Sequence, residues 1–215
     1  MDLGTTHSTG LPGLDSALKG VLAGDNIVWT VGSIPDYKAF VTPYCEAALR
    51  GGKNLVYFRF ASHEPVVEPG TGAEMHTLKP QNGFENFVAN IHGVIESEGR
   101  GAYYVFDCLS ELAADWYSDQ MLGNFFVLTC PYLFDLDTVA YFSLFRDYHS
   151  SRATQPIAAT TQLLLEVYRH REKLYVHPRK VQHRYSPTMN VLHEWVDDDC
   201  FKPVTASAAI SEILT

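Results

Sequence analysis

Cysteine is scarce. Cys45, Cys108, Cys130 and Cys200 are the only four, and no two stand at C-x-x-C spacing. That spacing gives no disulfide framework and no zinc site, and leaves reduced, mostly buried thiols of the kind found in a cytoplasmic protein. Charged residues are also few, at 19%, and unbalanced: 16 Lys and Arg against 25 Asp and Glu give a formal net charge of −9. That sign argues against a protein whose main partner is a phosphate backbone, so nucleic acid is not the expected partner. No apolar run is long enough to span a bilayer, and Met-Asp-Leu-Gly-Thr-Thr-His at the N-terminus lacks the basic and apolar regions of a signal peptide. The expectation is a soluble, cytoplasmic chain without a membrane partner. No repeat or low-complexity segment is present, and no local Ser-His-Asp or Cys-His pattern points to hydrolase chemistry.

What is present is apolar. Hydrophobic residues make up 46% of 215 residues and aromatics 13%, enough for the core of one large domain, and some aromatic area is free to face a partner. Bases gather between Arg146 and Arg184, where only Asp147, Glu166 and Glu172 oppose them, so one basic face is open to an acidic neighbour or, less readily, to nucleic acid. His170, His177, His183 and His193 fall in the same part of the chain, but no spacing there demonstrates a metal site. Asp197-Asp198-Asp199 reads as a solvated turn.

The rest of the chain is organised around Ile27–Phe40. Its apolar start reads as a buried strand, Gly32-Ser33-Ile34-Pro35-Asp36 as a turn, and the periodic run to Arg50 as a helix. Strand, loop, helix is the order a phosphate-binding loop needs, because loop N–H groups and the helix N-terminus together hold an anion. The pattern G-x-x-x-x-G-K-[ST] laid on Gly32–Ala39 keeps Gly32 and Lys38, but puts Tyr37 at the second glycine and Ala39 at the hydroxyl.

Around that stretch, Ser8–Asp15 opens the domain and leads into a short helix through Leu18. Asn54–Phe60 reads as a strand, Ala61–Asn82 as a long loop, functional or mobile, Phe84–Glu98 as a helix and Ala102–Asp107 as a buried strand ending in a carboxylate. A helix is expected from Leu112 to about Phe134; Thr138–Phe145 could continue it, but its β-branched and aromatic content favours a strand. A short helix follows over Ala153–Thr160, interrupted near its start by Pro156. Gln162–Arg169 and Leu174–Val181 form a hairpin, Met189–Val196 adds a strand, and Ser211–Thr215 has no closing element. Alternating strands and helices imply a mostly parallel sheet covered on both faces, extended by an antiparallel C-terminal hairpin.

Several of these segments resemble, in order, a KaiC-type member of the RecA-like P-loop ATPases. Ser8-Thr-Gly-Leu-Pro-Gly-Leu-Asp15 resembles the family's T-G-I-x-x-L-D opening, Ala47–Tyr57 the end of the P-loop helix and the next strand, and Tyr104–Ser110 the Walker B strand with its I-D-S-L-S sequence. Lys180–Pro187 resembles the K-x-R-G-x-x-H-S segment of the terminal hairpin. More narrowly, the whole chain, 1–215, is similar to the KaiC-like N-terminal region of some bacterial relatives of phosphoenolpyruvate synthase and pyruvate phosphate dikinase. The resemblance implies a single three-layer RecA-like P-loop NTPase domain, the first part of a longer chain, with ATP as nucleotide and either self-association or other domains of that chain as partners.

It also implies roles. Gly32, Ser33, Ile34, Pro35, Asp36, Tyr37, Lys38 and Ala39 would form a degenerate Walker A, Asp107 the Walker B carboxylate, and Lys180 and Arg184 candidate groups acting on a neighbour's phosphate. Catalysis needs a lysine on the β/γ-phosphates, a hydroxyl and an Asp on Mg²⁺, and a glutamate that activates water. Ala39 cannot ligate a metal, so Mg²⁺ is not expected. Tyr37 resists the positive φ that glycine allows, by about 1 kcal/mol or more, and Pro35 removes an N–H from the loop. The catalytic Glu falls at Ala61 or Ser62, with His63 and Glu64 displaced, and the hairpin Arg is replaced by Gln182. No catalytic residue is intact. Lys38 reads equally as a solvated helix-start lysine, and Asp107 as a carboxylate bonding the empty loop's N–H groups. The function implied is a regulatory, nucleotide-sensing or assembly module of a phosphoenolpyruvate synthase- or pyruvate phosphate dikinase-related protein, with little or no hydrolysis. The rival is an active ATPase or kinase component with a rearranged site using Lys38, Asp107 and Glu64.

Overall fold

Strand β1 (Asn26–Val31) is buried on both faces: Ile27, Trp29 and Val31 point into one apolar layer and Val28 into the other. The computed structural model describes residues 7–116 and 118–215. The other strands are β2 (Leu55–Arg59), β3 (Glu74–Thr77), β4 (Tyr103–Cys108), β5 (Val139–Phe145), β6 (Leu163–His170), β7 (Lys173–Val181), β8 (His193–Asp197) and β9 (Cys200–Pro203). The helices are α1 (Pro12–Leu18), α2 (Ile34–Arg50), α3 (Phe84–Glu98), α4 (Leu112–Asp115), α5 (Gln120–Asp135), α6 (Ser151–Thr160) and α7 (Ser207–Leu214). All strands join one sheet in the order β3-β2-β4-β5-β1-β6-β7-β8-β9. The first six in that order run parallel, and β7, β8 and β9 follow antiparallel. The fold is therefore α/β, with a mostly parallel sheet and an antiparallel C-terminal extension.

Two layers of helix cover the sheet. Buried side chains of α1 and α2, including Leu14, Tyr37, Phe40 and Tyr44, pack on one face. Those of α3, α5 and α6, including Ile91, Phe125, Phe126 and Ile157, pack on the other. On the α2 side the rings stack: Trp29 on Phe40 at 4.3 Å and Tyr44 on Tyr141 at 3.8 Å between centroids. Such offset pairs add about 0.5–1.5 kcal/mol each beyond the area they bury.

Four expectations are corrected. The segment from Ala61 to Asn82 is not a plain loop: it buries Val66 and Val67 and supplies β3, an edge strand parallel to β2. Glu74-Met-His-Thr77 is mostly exposed and has no alternation to betray it; it pairs with β2, and His76 lies 6.0 Å from the Phe58 ring between centroids. The helix expected over Leu112–Phe134 is two helices, α4 and α5, and Tyr117, read into it, lies outside the described residues. Helix α6 runs unbroken through Pro156 from an N-cap at Ser150. Gly123 of α5 lets it in, since a Cβ there would stand 3.1 Å from the Ala153 carbonyl oxygen and 3.2 Å from Pro156 Cγ. Residues 211–214, read without an element, belong to α7, which buries Ile213 beside Tyr175 and Leu192. Among the thiols, Cys45, Cys108 and Cys130 are buried, whereas Cys200 is exposed.

His193 on β8 is buried, and among the described residues neither ring nitrogen meets the geometric criteria of a hydrogen bond. Burial holds its pKa below the ordinary 6.5. A folded-state pKa below the unfolded value gives stability that is present above the unfolded pKa and lost as pH falls. Between about pH 7.5 and pH 5.5 the wild type should lose more Tm than His193→Phe, read by circular dichroism.

Candidate functional site

Only Gly32 and Ser33 separate β1 from α2. Ser33 is extended (φ −154°, ψ 161°) and caps the helix, its Oγ accepting the Asp36 N–H at 3.4 Å. Pro35 sits in the first turn, where a missing N–H costs nothing. Cap and proline together start the helix at once, so Ile34, Pro35, Asp36 and Tyr37 are helix rather than an open loop that wraps a phosphate. The turn expected over Gly32–Asp36 is that much shorter.

Asp36 then faces inward. It is 3% exposed, and its Oδ1 accepts from Arg169 Nε at 2.8 Å and Nη2 at 2.6 Å. A Cβ on Gly32 would stand 3.5 Å from Asp36 Oδ2, which places the carboxylate against the end of β1 in the first turn of α2. A helix N-terminus favours an anion, and here the chain's own carboxylate sits there. Tyr37, at the second-glycine position, is fully buried, and its hydroxyl donates to the Phe106 carbonyl at 3.1 Å. Burial pushes that hydroxyl's pKa well above its ordinary value. Lys38 is paired with Glu68, and Ala39 follows with no hydroxyl.

Asp107 ends β4 with no exposed surface. Its Oδ2 accepts from Arg59 Nη1 at 2.5 Å and from the N–H groups of Phe60 and Ala61, each at 2.9 Å, while Oδ1 accepts from the Tyr57 hydroxyl. The N–H groups it bonds belong to the segment after β2, not to the Gly32 loop as expected. Alongside, His63 Nε2 accepts the Cys108 N–H at 3.2 Å and Nδ1 meets the Glu64 carbonyl at 2.7 Å, which fixes the proton on Nδ1. Ser62 donates its N–H and hydroxyl to Glu111 at 2.7 and 2.8 Å. Of the positions expected to supply a stand-in base, His63 has both nitrogens engaged, and Glu64 lies on the exposed surface.

Lys180 and Arg184, expected to act on a neighbour's phosphate, each make contacts within this chain. Lys180 Nζ donates to the carbonyls of Ala158 at 2.7 Å, Ala159 at 3.3 Å and Thr161, closing the C-terminal end of α6. Lys180→Met should cost about 1–2 kcal/mol, because it strips a cation and hydrogen bonds from a helix C-terminus; urea unfolding checks it. Arg184 Nη2 donates to both carboxylate oxygens of Asp25, at 2.6 and 2.8 Å, while Nη1 donates to the Gly20 carbonyl at 2.6 Å and Nε to the Gln182 carbonyl at 2.9 Å. The opening segment is likewise tied down internally. Asp15 accepts from the Thr9 N–H at 2.9 Å, the Thr9 hydroxyl at 2.7 Å and the Ser8 hydroxyl at 2.5 Å. Gly10, at φ +82°, allows contact with α2, since a Cβ there would fall 2.0 Å from the Pro43 carbonyl oxygen.

No protein-family model and no curated protein matches this chain. The site is thus described by its own chemistry. The four C-terminal histidines have separate surroundings: His170 lies 3.9 Å from Glu212, His177 3.5 Å from Glu166, His183 against Phe134, and His193 in the core. The residues from Asp197 to Asp199 turn between β8 and β9 on the exposed surface, as read.

Two further contacts were also not foreseen. One is Arg169, the partner of Asp36 from 133 residues away. The other is a hydrogen bond between Ser110 Oγ and His149 Nε2 at 2.7 Å, with the Phe145 N–H donating to the same oxygen at 2.8 Å. It ties the end of β4 to the segment after β5. No helix among the described residues is long and apolar enough to cross a membrane.

Proposed function

We propose that this chain is a RecA/KaiC-like domain whose nucleotide site has been given over to internal contacts. It serves as an assembly or regulatory module of a larger phosphoenolpyruvate synthase- or pyruvate phosphate dikinase-related protein, with little or no ATP hydrolysis. The observation that carries this reading is the Asp36 carboxylate in the first turn of α2, held by Arg169. A bound phosphate would have to share a helix N-terminus with a buried carboxylate, and like charges a few ångströms apart repel by about 1–4 kcal/mol at the effective dielectric of a protein surface or above. Lys38, the other charge such a phosphate would need, is engaged by Glu68, and Asp107 has no free oxygen turned to solvent.

Titration with ATP, with and without Mg²⁺, tests it by calorimetry. The expected result is no saturable heat at about millimolar ATP, a binding free energy weaker than roughly −4 kcal/mol. Saturable binding that disappears in Lys38→Ala would overturn it and return the rival reading, an ATPase or kinase component with a rearranged site.

A further inference from the structure

On the face of β1 opposite α2 lies a cavity of about 470 Å³. It stands beside the carboxyl ends of β5 and β1 and the middle of β6, where Leu144, Thr30 and Glu166 are register neighbours. The chain leaves β1 through α2 on one face of the sheet and leaves β5 through α6 on the other. In open α/β sheets that parting of adjacent connections opens a crevice where ligands bind. Leu144, Ile157, Ala158 and Leu164 give the cavity an apolar floor, and Arg146, His149 and Gln155 stand among its polar lining residues.

The charges there are unequally answered. Glu166 accepts the Tyr168 hydroxyl at 3.0 Å and faces His177 Nδ1 at 3.5 Å and Arg179 Nε at 3.7 Å. Arg146 is fixed rather than free to swing: its guanidinium carbon lies 4.2 Å over the Tyr168 ring and Nη1 donates to the Val167 carbonyl at 2.5 Å. Its nearest carboxylate, Asp147, is 3.7 Å from Nε and 92% exposed, so water screens that pair. Nη2 makes no hydrogen bond among the described residues. His149 is turned to Ser110, and burial lowers its pKa, so it adds no standing charge. The result is an immobilised guanidinium with an open edge beside an apolar slot.

We propose that this cavity binds a small amphipathic carboxylate, with its hydrocarbon on Leu144, Ile157, Ala158 and Leu164 and its carboxylate on Arg146 Nη2 and the Gln155 amide. A guanidinium edge suits a carboxylate better than a neutral amide and repels an ammonium, while the floor selects an apolar tail. Arg146 Nη2 also borders the β1–α2 turn, where a Cβ on Gly32 would stand 3.9 Å from it.

Hexanoate, hexanamide and hexylamine, titrated into the whole chain and followed by methyl NMR, provide the test. Hexanoate should saturate and bind about tenfold tighter than hexanamide, with hexylamine not binding, since a charge-assisted hydrogen bond adds about that factor. The methyl signals of Ile157 and Ala158 should move first. Ala158→Phe fills the slot and should weaken hexanoate at least about tenfold, and Arg146→Met should abolish the preference for hexanoate over hexanamide. Equal affinity for all three ligands, absence of saturation, shifts elsewhere than Ile157 and Ala158, or unchanged binding by a folded Ala158→Phe would each overturn the proposal. The wild-type ligand series and the shift map decide the matter even where Ala158→Phe does not fold.

Discussion

Asp107→Ala should lower stability by about 3–5 kcal/mol, the cost of leaving the partner of a buried ion pair uncompensated. The carboxylate is wholly buried, and its loss would strand the Arg59 guanidinium, the Tyr57 hydroxyl and the N–H groups of Phe60 and Ala61 together. Arg59 is itself largely buried, with 18% of its side chain exposed, so water cannot replace the lost partner cheaply. Asp107→Asn keeps one acceptor oxygen for the backbone donors while removing the charge and turning the other oxygen into an NH2 donor, and should cost about half as much. Urea unfolding monitored by fluorescence measures both. The measurement also separates two roles for this residue. A carboxylate kept free to bind a metal is a burden on the folded state, and removing it leaves stability unchanged or raised. A carboxylate that joins β2 to β4 does the reverse. A loss under about 1 kcal/mol would therefore return Asp107 to the catalytic reading.

Sequence periodicity carried most of the fold because burial on both faces leaves a plain mark. β1, β2, β4 and β5 are short apolar runs bounded by polar residues or glycine, and α3 repeats Phe87, Ile91 and Ile95 at helical spacing. Elements that bury little left no such mark. β3 is held by backbone hydrogen bonds and α7 by one buried isoleucine, and neither pattern rises above its surroundings. The hairpin between β6 and β7 was legible, although its turn puts Arg171 and Glu172 at φ +47° and +63°, positions where glycine or asparagine is the usual signal.

The candidate site was legible only as a set of positions. Gly32–Ala39 and Asp107 do fall where a strand, a helix start and a second strand end, but what each side chain does depends on partners far along the chain. Asp36 meets Arg169 across 133 residues, Asp107 meets Arg59 across 48, and Lys38 meets Glu68 across 30. A motif specifies which groups are present and leaves open whether they face a ligand or one another. Ser33 and Pro35 held the better clue, since a capping residue followed by an N-terminal proline announces an immediate helix start and so a closed loop.

Arg184→Met should cost a similar amount, about 3–5 kcal/mol near pH 7, by leaving Asp25 charged and buried without its partner. Both side chains are deeply buried, at 5% and 2% exposure. Burial already raises the Asp25 pKa above the ordinary 3.8, and the Arg184 hydrogen bond and charge pull against that rise. Without the guanidinium the rise goes unopposed. For a group whose folded-state pKa lies above its unfolded one, the stabilising contribution is present below the unfolded pKa and is lost as pH climbs through the folded value. The deficit of Arg184→Met should therefore shrink as pH is lowered from about 7 to about 4, as Asp25 takes up a proton. Asp25→Asn combined with Arg184→Met should recover part of the loss at neutral pH, because no buried charge is left unpaired. Denaturant unfolding at the two pH values, at a protein concentration low enough to dissociate any assembly, reads all three variants. An arginine held ready for a neighbour's phosphate would behave otherwise: its removal would leave the isolated chain as stable as before and weaken only assembly or turnover. The contacts of Nη2 with both Asp25 oxygens and of Nη1 with the Gly20 carbonyl join the segment after β7 to the residues that lead into β1.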